Sequence, residues 1–208
     1  MNTLYKISLI ILSLTLLTAC ARKVNYQFGY SGEDDERYTL VKAQFDNTGT
    51  PGGSLACCIG DGGSGASMFP DRYPKTGYFE WFDTKEGHYY RAALTYPKNL
   101  QAIAEGLSDV VYSSNKPSSA FLILITSFTN DKQVISFMAN DPFGRDHIQR
   151  EIVEVARAQG ERFIPEFAVA NCTYGERSEA LHRFCNNVPE EIAAYRAKLK
   201  AEGKTNPQ

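Results

Sequence analysis

The chain has 208 residues, 43% of them hydrophobic and 22% charged, with a formal net charge of −2. That is the make-up of a globular domain, not of a disordered or collagen-like chain, and the length suits a single domain. So weak an acidic balance excludes the basic footprint through which proteins bind nucleic acid.

The chain opens on an export signal. Lys6 supplies a positive n-region, Ile7 to Leu17 form an apolar run of about eleven residues, and Leu17-Thr18-Ala19 leads into Cys20. The run is shorter than the roughly 20 apolar residues a spanning helix needs. This order resembles the lipobox of bacterial lipoproteins. The resemblance implies that residues 1–19 are removed and that Cys20 becomes an acylated N-terminus. Each buried CH₂ of an acyl chain contributes about 0.8 kcal/mol, so two or more chains tether a domain to a membrane without inserting it. Ala21 stands where Asp would hold such a protein at the inner membrane. The resemblance therefore implies transfer to the outer membrane, with one domain, residues 20–202, in the periplasm. Loss of the leader removes Lys6 and no acid, which takes the formal charge from −2 to −3.

A short strand is expected near Asn25-Tyr26-Gln27-Phe28-Gly29-Tyr30. The acidic run Glu33-Asp34-Asp35-Glu36 follows; it reads as a solvated loop and a candidate contact for a basic partner. It lacks the spaced oxygen ligands and central glycine of an EF-hand calcium loop. From Thr39 to Phe45, Val41, Ala43 and Phe45 alternate with Lys42 and Gln44, the period of a half-buried strand. Leu55 to Ile59 is short and apolar and holds Cys57-Cys58. Within Gly60–Ser67, the order Gly62-Gly63-Ser64-Gly65-Ala66 misses the last glycine of a G-x-S-x-G nucleophile elbow. It also lacks the Gly-Lys-Ser/Thr ending of a phosphate loop. This segment reads as a connection between strands, with Gly62, Gly63 and Ser64 as candidate partner contacts.

Tyr78–Phe82 and His88–Tyr96 are aromatic-rich and joined by Asp83-Thr84-Lys85-Glu86-Gly87, which predicts a hairpin. Asn99–Leu107 suits a short helix. Ala120–Phe128 is apolar nearly throughout, a central strand covered on both faces. Thr129-Asn130-Asp131-Lys132 is turn chemistry, and Gln133 to Met138 runs back as its partner. After Asp141-Pro142, Ile148, Ile152, Val155 and Ala156 fall at helical spacing and predict a helix that Gly160 ends. Ser178 to Phe184 adds one or two helical turns. Pro189-Glu190-Glu191 opens a last helix, with proline tolerated and acids favoured in the first turn. Ile192, Tyr195 and Leu199 form its apolar stripe, and the tail from Gly203 reads as disordered. The expected fold is α+β, mainly antiparallel β-sheet with helices in the C-terminal third.

Lipidation of Cys20 leaves Cys57, Cys58, Cys172 and Cys185, which allow three pairings that sequence does not separate. Cys172–Cys185 is the first choice, because it would close a short loop worth roughly 3 kcal/mol. An oxidising compartment favours that bridge over a zinc site at Cys172, His182 and Cys185, which lack the paired C-x₂-C spacing. In a strand, Cys57 and Cys58 would point to opposite faces. A bridge between them would strain the backbone, so one or both are expected to pair elsewhere or stay buried. His88 and His147 join no cluster. No nucleophile, acid–base pair, metal ligand set or cofactor loop emerges, so the expectation is a protein without catalysis, metal or cofactor.

The order of lipobox, short strand, Gly52-Gly53 leading into Cys57-Cys58, and an aromatic strand with Trp81 is similar to a group of proteobacterial lipoproteins. Such proteins act as immunity proteins beside type VI secretion phospholipase effectors. The likeness covers roughly residues 20–140 and brings no defined active site. It implies a periplasmic phospholipase effector as the protein partner, blocked by occlusion of its cleft. The alternative is a structural or assembly lipoprotein of the cell envelope.

Overall fold

A computed structural model describes residues 26–34, 36–50, 52–60, 64–66, 72–112, 120–142, 147–173 and 178–204. In chain order the strands are β1 (Tyr26–Gly32), β2 (Tyr38–Phe45), β3 (Thr48–Thr50), β4 (Gly53–Ser54), β5 (Ala56–Cys57), β6 (Ser64–Ala66), β7 (Thr76–Asp83) and β8 (His88–Thr95). Helix α1 (Leu100–Glu105) precedes β9 (Val111–Tyr112), β10 (Ala120–Phe128), β11 (Gln133–Pro142), β12 (His147–Gln149), β13 (Ile152–Gln159) and β14 (Glu161–Phe163). The chain then turns helical in α2 (Glu166–Asn171), α3 (Glu179–Asn187) and α4 (Pro189–Ala201). The fold is α+β.

Two six-stranded sheets result. The first runs β13-β11-β10-β1-β5 with β6 also on β1; the second runs β14-β8-β7-β2-β3 with β4 also on β2. Strand β12 pairs with β9 apart from both. Within the first sheet β1 lies parallel to β10, Tyr26 opposite Leu122 and Gly32 opposite Phe128. Parallel strands occur where both faces are covered, and β1 is buried on both. Its side chains divide by alternation: Tyr26, Phe28 and Tyr30 point one way, Gln27 and Ser31 the other.

The aromatic side of β1 faces the second sheet. Phe28 stacks on Phe45 with centroids 3.8 Å apart, and Phe128 meets Trp81 at 5.2 Å and Phe79 at 6.1 Å. Leu94, Leu124 and Met138 are fully buried in the same core, which Leu100 and Ala104 of α1 join. Each such side chain contributes about 1.5–3 kcal/mol on burial, so the sandwich rests on this layer.

The outer face of the second sheet presents Phe82 and Tyr89. Ala168 and Val169 of α2, Phe184 and Cys185 of α3, and Ile192 of α4 cover it. Tyr89 meets Phe184 edge-on at 5.0 Å. Ser178 caps α3 by accepting the Leu181 amide at 3.2 Å, and α4 opens on Pro189 with Glu190 and Glu191 in its first turn. Cys172 and Cys185 are joined inside this layer, as the sequence suggested. The outer face of the first sheet buries Ile123, Ile125 and Ala139. There the Gly60 amide donates to Ser127 Oγ at 3.0 Å, and Gly60 lies against Ile152.

Two expectations are corrected. No helix follows Asp141-Pro142: β11 runs through Pro142, and β12 and β13 take the segment that carries Ile148, Ile152, Val155 and Ala156. Ile152 pairs with Ala139 on the outer face, and a bulge interrupts β13 after it. Ser136 pairs with Ala156 and Phe137 with Glu154, which leaves Val155 as the extra residue. Val155 and Ala156 therefore both pack on the core. Gly160 accordingly ends a strand. Its amide donates to Lys132 O at 2.7 Å, and a Cβ there would collide with the Trp81 ring and that same carbonyl.

The second correction concerns Cys57 and Cys58, which are bonded to each other and both exposed. Strand β5 stops at Cys57, and Cys58 turns out of it with a φ of 84°. The alternation that would have sent the two thiols to opposite faces ends one residue too early to apply.

Candidate functional site

Strands β1, β5 and β10 run in the same direction, so their C-terminal ends bring three segments together. After β1 the Glu33 amide donates to Phe128 O at 2.9 Å; after β5 the Cys58 amide donates to Gly32 O at 2.7 Å. The turn Thr129–Lys132 follows β10. The β7–β8 turn reaches this end from the second sheet, where the Thr84 amide donates to Arg37 O at 2.8 Å.

A charge cluster locks three of these turns, those after β1, β7 and β10. The Asp83 side chain is wholly buried at the end of β7, and its Oδ2 accepts from Arg37 Nη2 at 2.8 Å and Lys132 Nζ at 3.0 Å. Its Oδ1 accepts the Lys85 and Glu86 amides, each at 3.0 Å. Burial alone would raise the Asp83 carboxyl; the Arg37 hydrogen bond, the Glu86 amide and Lys132 outweigh it and hold the group below its ordinary value. Glu86 shares both cations and accepts from Tyr90 Oη at 2.8 Å. Its carboxyl is lowered too, against burial, by the Lys132 and Tyr90 hydrogen bonds. Arg37 Nη1 also donates to Asn130 Oδ1 at 2.6 Å. Every charge here is met by its opposite, and no carboxylate is left raised or unsatisfied to serve as a base. The cluster is a clasp between the two sheets.

Beside it the surface has another character. Glu33, Asp34 and Glu36 are exposed, and none of the three makes an ion pair among the described residues. Glu33 Oε2 accepts the Asn130 amide at 2.7 Å, and Asp34 Oδ1 accepts the Glu36 amide at 3.3 Å. Across the β1–β5 pairing stand the exposed Cys57–Cys58 bridge and Ile59, 42% exposed. Ile152, 40% exposed, lies against Gly60, whose carbonyl accepts from Arg150 Nη2 at 2.7 Å. The result is an apolar knob beside three carboxylates that make no ion pair among the described residues.

The candidate contacts of the sequence are thus partly brought together. Glu33, Asp34 and Glu36 share the end of β1 with the start of the glycine segment, while Asp35, Gly62, Gly63 and the acylation candidate Cys20 lie outside the described residues. Ser64 lies in β6 opposite Tyr30, on a sheet edge and not on a strand-to-helix turn. His88 begins β8, with its Nδ1 at 3.3 Å from Asn187 Nδ2, and His147 is in β12. Cys172 and Cys185 bind each other, so neither thiol is free to join His182 as a ligand. Among the described residues no group of three His, Cys, Asp or Glu is placed to hold a metal ion, and no helix is long and apolar enough to cross a membrane. Sequence reasoning passed over Arg37, Asp83, Glu86 and Lys132. The usable signal was Asp83 closing the aromatic run from Tyr78, where a solvated turn would more simply have begun later. Comparison of the chain with protein families, curated proteins and solved structures finds no match.

Proposed function

We propose that this chain is a lipoprotein of the outer membrane, tethered through Cys20 on the periplasmic side, whose domain binds and blocks a type VI secretion phospholipase effector. The observation that carries the reading is the exposed knob of Cys57, Cys58 and Ile59 beside Glu33, Asp34 and Glu36, which make no ion pair among the described residues. An apolar anchor with a charged rim is the usual anatomy of a protein-binding hot spot. Blocking a lipase needs only such a surface seated over its cleft, and no catalytic group.

Tether length fits that use. Tyr26 comes six residues after Cys20, a stretch that reaches at most about 21 Å. Strand β1 then rises about 20 Å to Gly32, so the knob lies at the other end of β1 from the tether. Confinement near the membrane raises the effective concentration of an inhibitor where the lipase must work.

The test is inhibition by the purified domain of a periplasm-directed phospholipase encoded beside it. Binding and loss of lipase activity at a one-to-one ratio are expected, with the triple change Glu33→Lys, Asp34→Lys and Glu36→Lys abolishing both. Full lipase activity with excess unmodified protein would overturn the reading. Separately, Cys20→Ser is expected to move the protein from the membrane fraction to the soluble periplasm.

A further inference from the structure

Two disulfides in this chain stand in opposite surroundings. Cys172 and Cys185 are 0% and 4% exposed within the helical layer, whereas Cys57 and Cys58 are both open to solvent. The exposed pair sits at the root of a strap. The Cys58 amide donates to Gly32 O, the Gly60 amide to Ser127 Oγ, and Arg150 Nη2 to Gly60 O. Ser127 Oγ in turn lies 2.7 Å from Ser31 Oγ, both wholly buried beneath the strap. Cys58 has a φ of 84°, in the left-handed region that a non-glycine residue avoids unless its surroundings impose it.

We propose that Cys57–Cys58 is a thiol–disulfide exchange site, and that opening it releases the strap from the outer face of the first sheet. A thiolate of an incoming dithiol attacks one of the two sulfurs, and the S–S bond breaks with its electron pair leaving on the other sulfur as a thiolate. The second thiol of the dithiol then attacks the mixed disulfide, forms its own S–S bond and expels the remaining cysteine as a thiolate. The dithiol loses two electrons, Cys57–Cys58 gains them, and the dithiol's two protons pass to the freed thiolates. No change elsewhere in the fold is needed for attack, because both sulfurs belong to exposed residues. Once the ring is open, nothing covalent holds Cys58 at positive φ, and its return to the ordinary region swings Ile59 and Gly60 away from Ser127. Reduction thereby redraws the same knob that the carboxylates flank, so the site is a redox control on that surface whatever the surface binds.

Two measurements on the full folded chain test this. Under graded reduction with dithiothreitol and, in parallel, with a thioredoxin-type protein dithiol, thiols are trapped with N-ethylmaleimide and mapped by mass spectrometry. Cys57 and Cys58 are expected to be trapped on the order of a hundredfold faster than Cys172 and Cys185, as local opening outpaces global opening. Amide exchange in the peptide holding Cys58 to Gly60 is expected to quicken on reduction, and equally in the oxidant-independent variant Cys57→Ser with Cys58→Ser. Reactivity of all four cysteines at one common rate would overturn the exchange site. Selective trapping with unchanged exchange at Cys58 to Gly60 would overturn the release of the strap. Neither result depends on a phospholipase, so both are distinct from failure of the inhibition assay.

Discussion

The two outer faces of the sandwich are covered by different means, each with a disulfide in its cover. On the second sheet, α2, α3 and α4 press Phe184, Val169 and Ile192 onto Phe82 and Tyr89, and the bridge there joins residues 13 apart in sequence. On the first sheet the strap of Cys58 to Gly60 is held mainly by single hydrogen bonds to Gly32, Ser127 and Arg150. The bridge at its root joins neighbours in sequence. A bond that closes a loop narrows the unfolded ensemble; one between adjacent residues closes almost no loop. The helical cover is therefore part of the stability of the domain, and the strap is a surface feature whose shape its bridge sets. The clasp joins the two regions, since Arg183 Nε donates to Thr84 O at 3.2 Å and Asn187 Nδ2 to Glu86 O at 3.1 Å, while Lys132 and Arg37 reach Asp83 from the other side.

The contrast is open to direct attack. Phe184→Ala removes the aromatic anchor of the helical cover and is expected to cost about 3–5 kcal/mol in urea denaturation; a cost no greater than that of a strap mutation would break the comparison. Replacing Cys172 and Cys185 together by Ser is expected to cost about 3 kcal/mol by the loop-entropy model. The matching pair of changes at Cys57 and Cys58 should leave the midpoint nearly where it was. Equal losses from the two pairs would show that loop closure is not what separates them.

Acid should find the joint between the regions. The folded Asp83 carboxyl titrates below its ordinary value of 3.8, so as the pH falls the unfolded chain takes up that proton first. Stability from this group is complete above the ordinary value and is lost as the pH drops through the folded one. Stability measured from pH 6 to pH 2 should therefore fall less steeply in Asp83→Asn than in the unmodified protein, and parallel acid limbs would remove the clasp from the account. Smallest of all, Ile59→Ala on the exposed strap should change stability by less than about 0.5 kcal/mol.

Where a residue's neighbours lie close in sequence, the chain was readable. The hairpin at β7 and β8, the central run Ala120–Phe128 with its returning partner, and the proline-opened, acid-led start of the last helix all follow from local period and turn chemistry. Ile152, Val155 and Ala156 misled because they do not share a face: Ile152 pairs with Ala139 on the outer face, while a bulge at Val155 turns that residue and Ala156 both onto the core. The pairing of β1 with β10 left no local sign, because a parallel ladder links segments far apart without a turn between them. At the candidate surface the exposed acids were visible in the run from Glu33. Their nearness to Cys57 and Ile59 arises only from the β1–β5 pairing, and the buried Asp83 cluster only from three turns meeting.

That β1–β10 ladder governs how the domain assembles. Ser31 and Ser127, which touch across it, are 96 residues apart in the chain. Closing so long a loop adds only modestly to the entropic cost of the finished fold, but contacts this distant slow the search for it. Tyr26, Phe28 and Tyr30 thus emerge first yet find their neighbours in β10 only after Phe128 has been added. An N-terminal fragment ending before Ala120 lacks the strand on which β1 lies along its whole length. The β1 ladder can therefore be completed only when β10 is present.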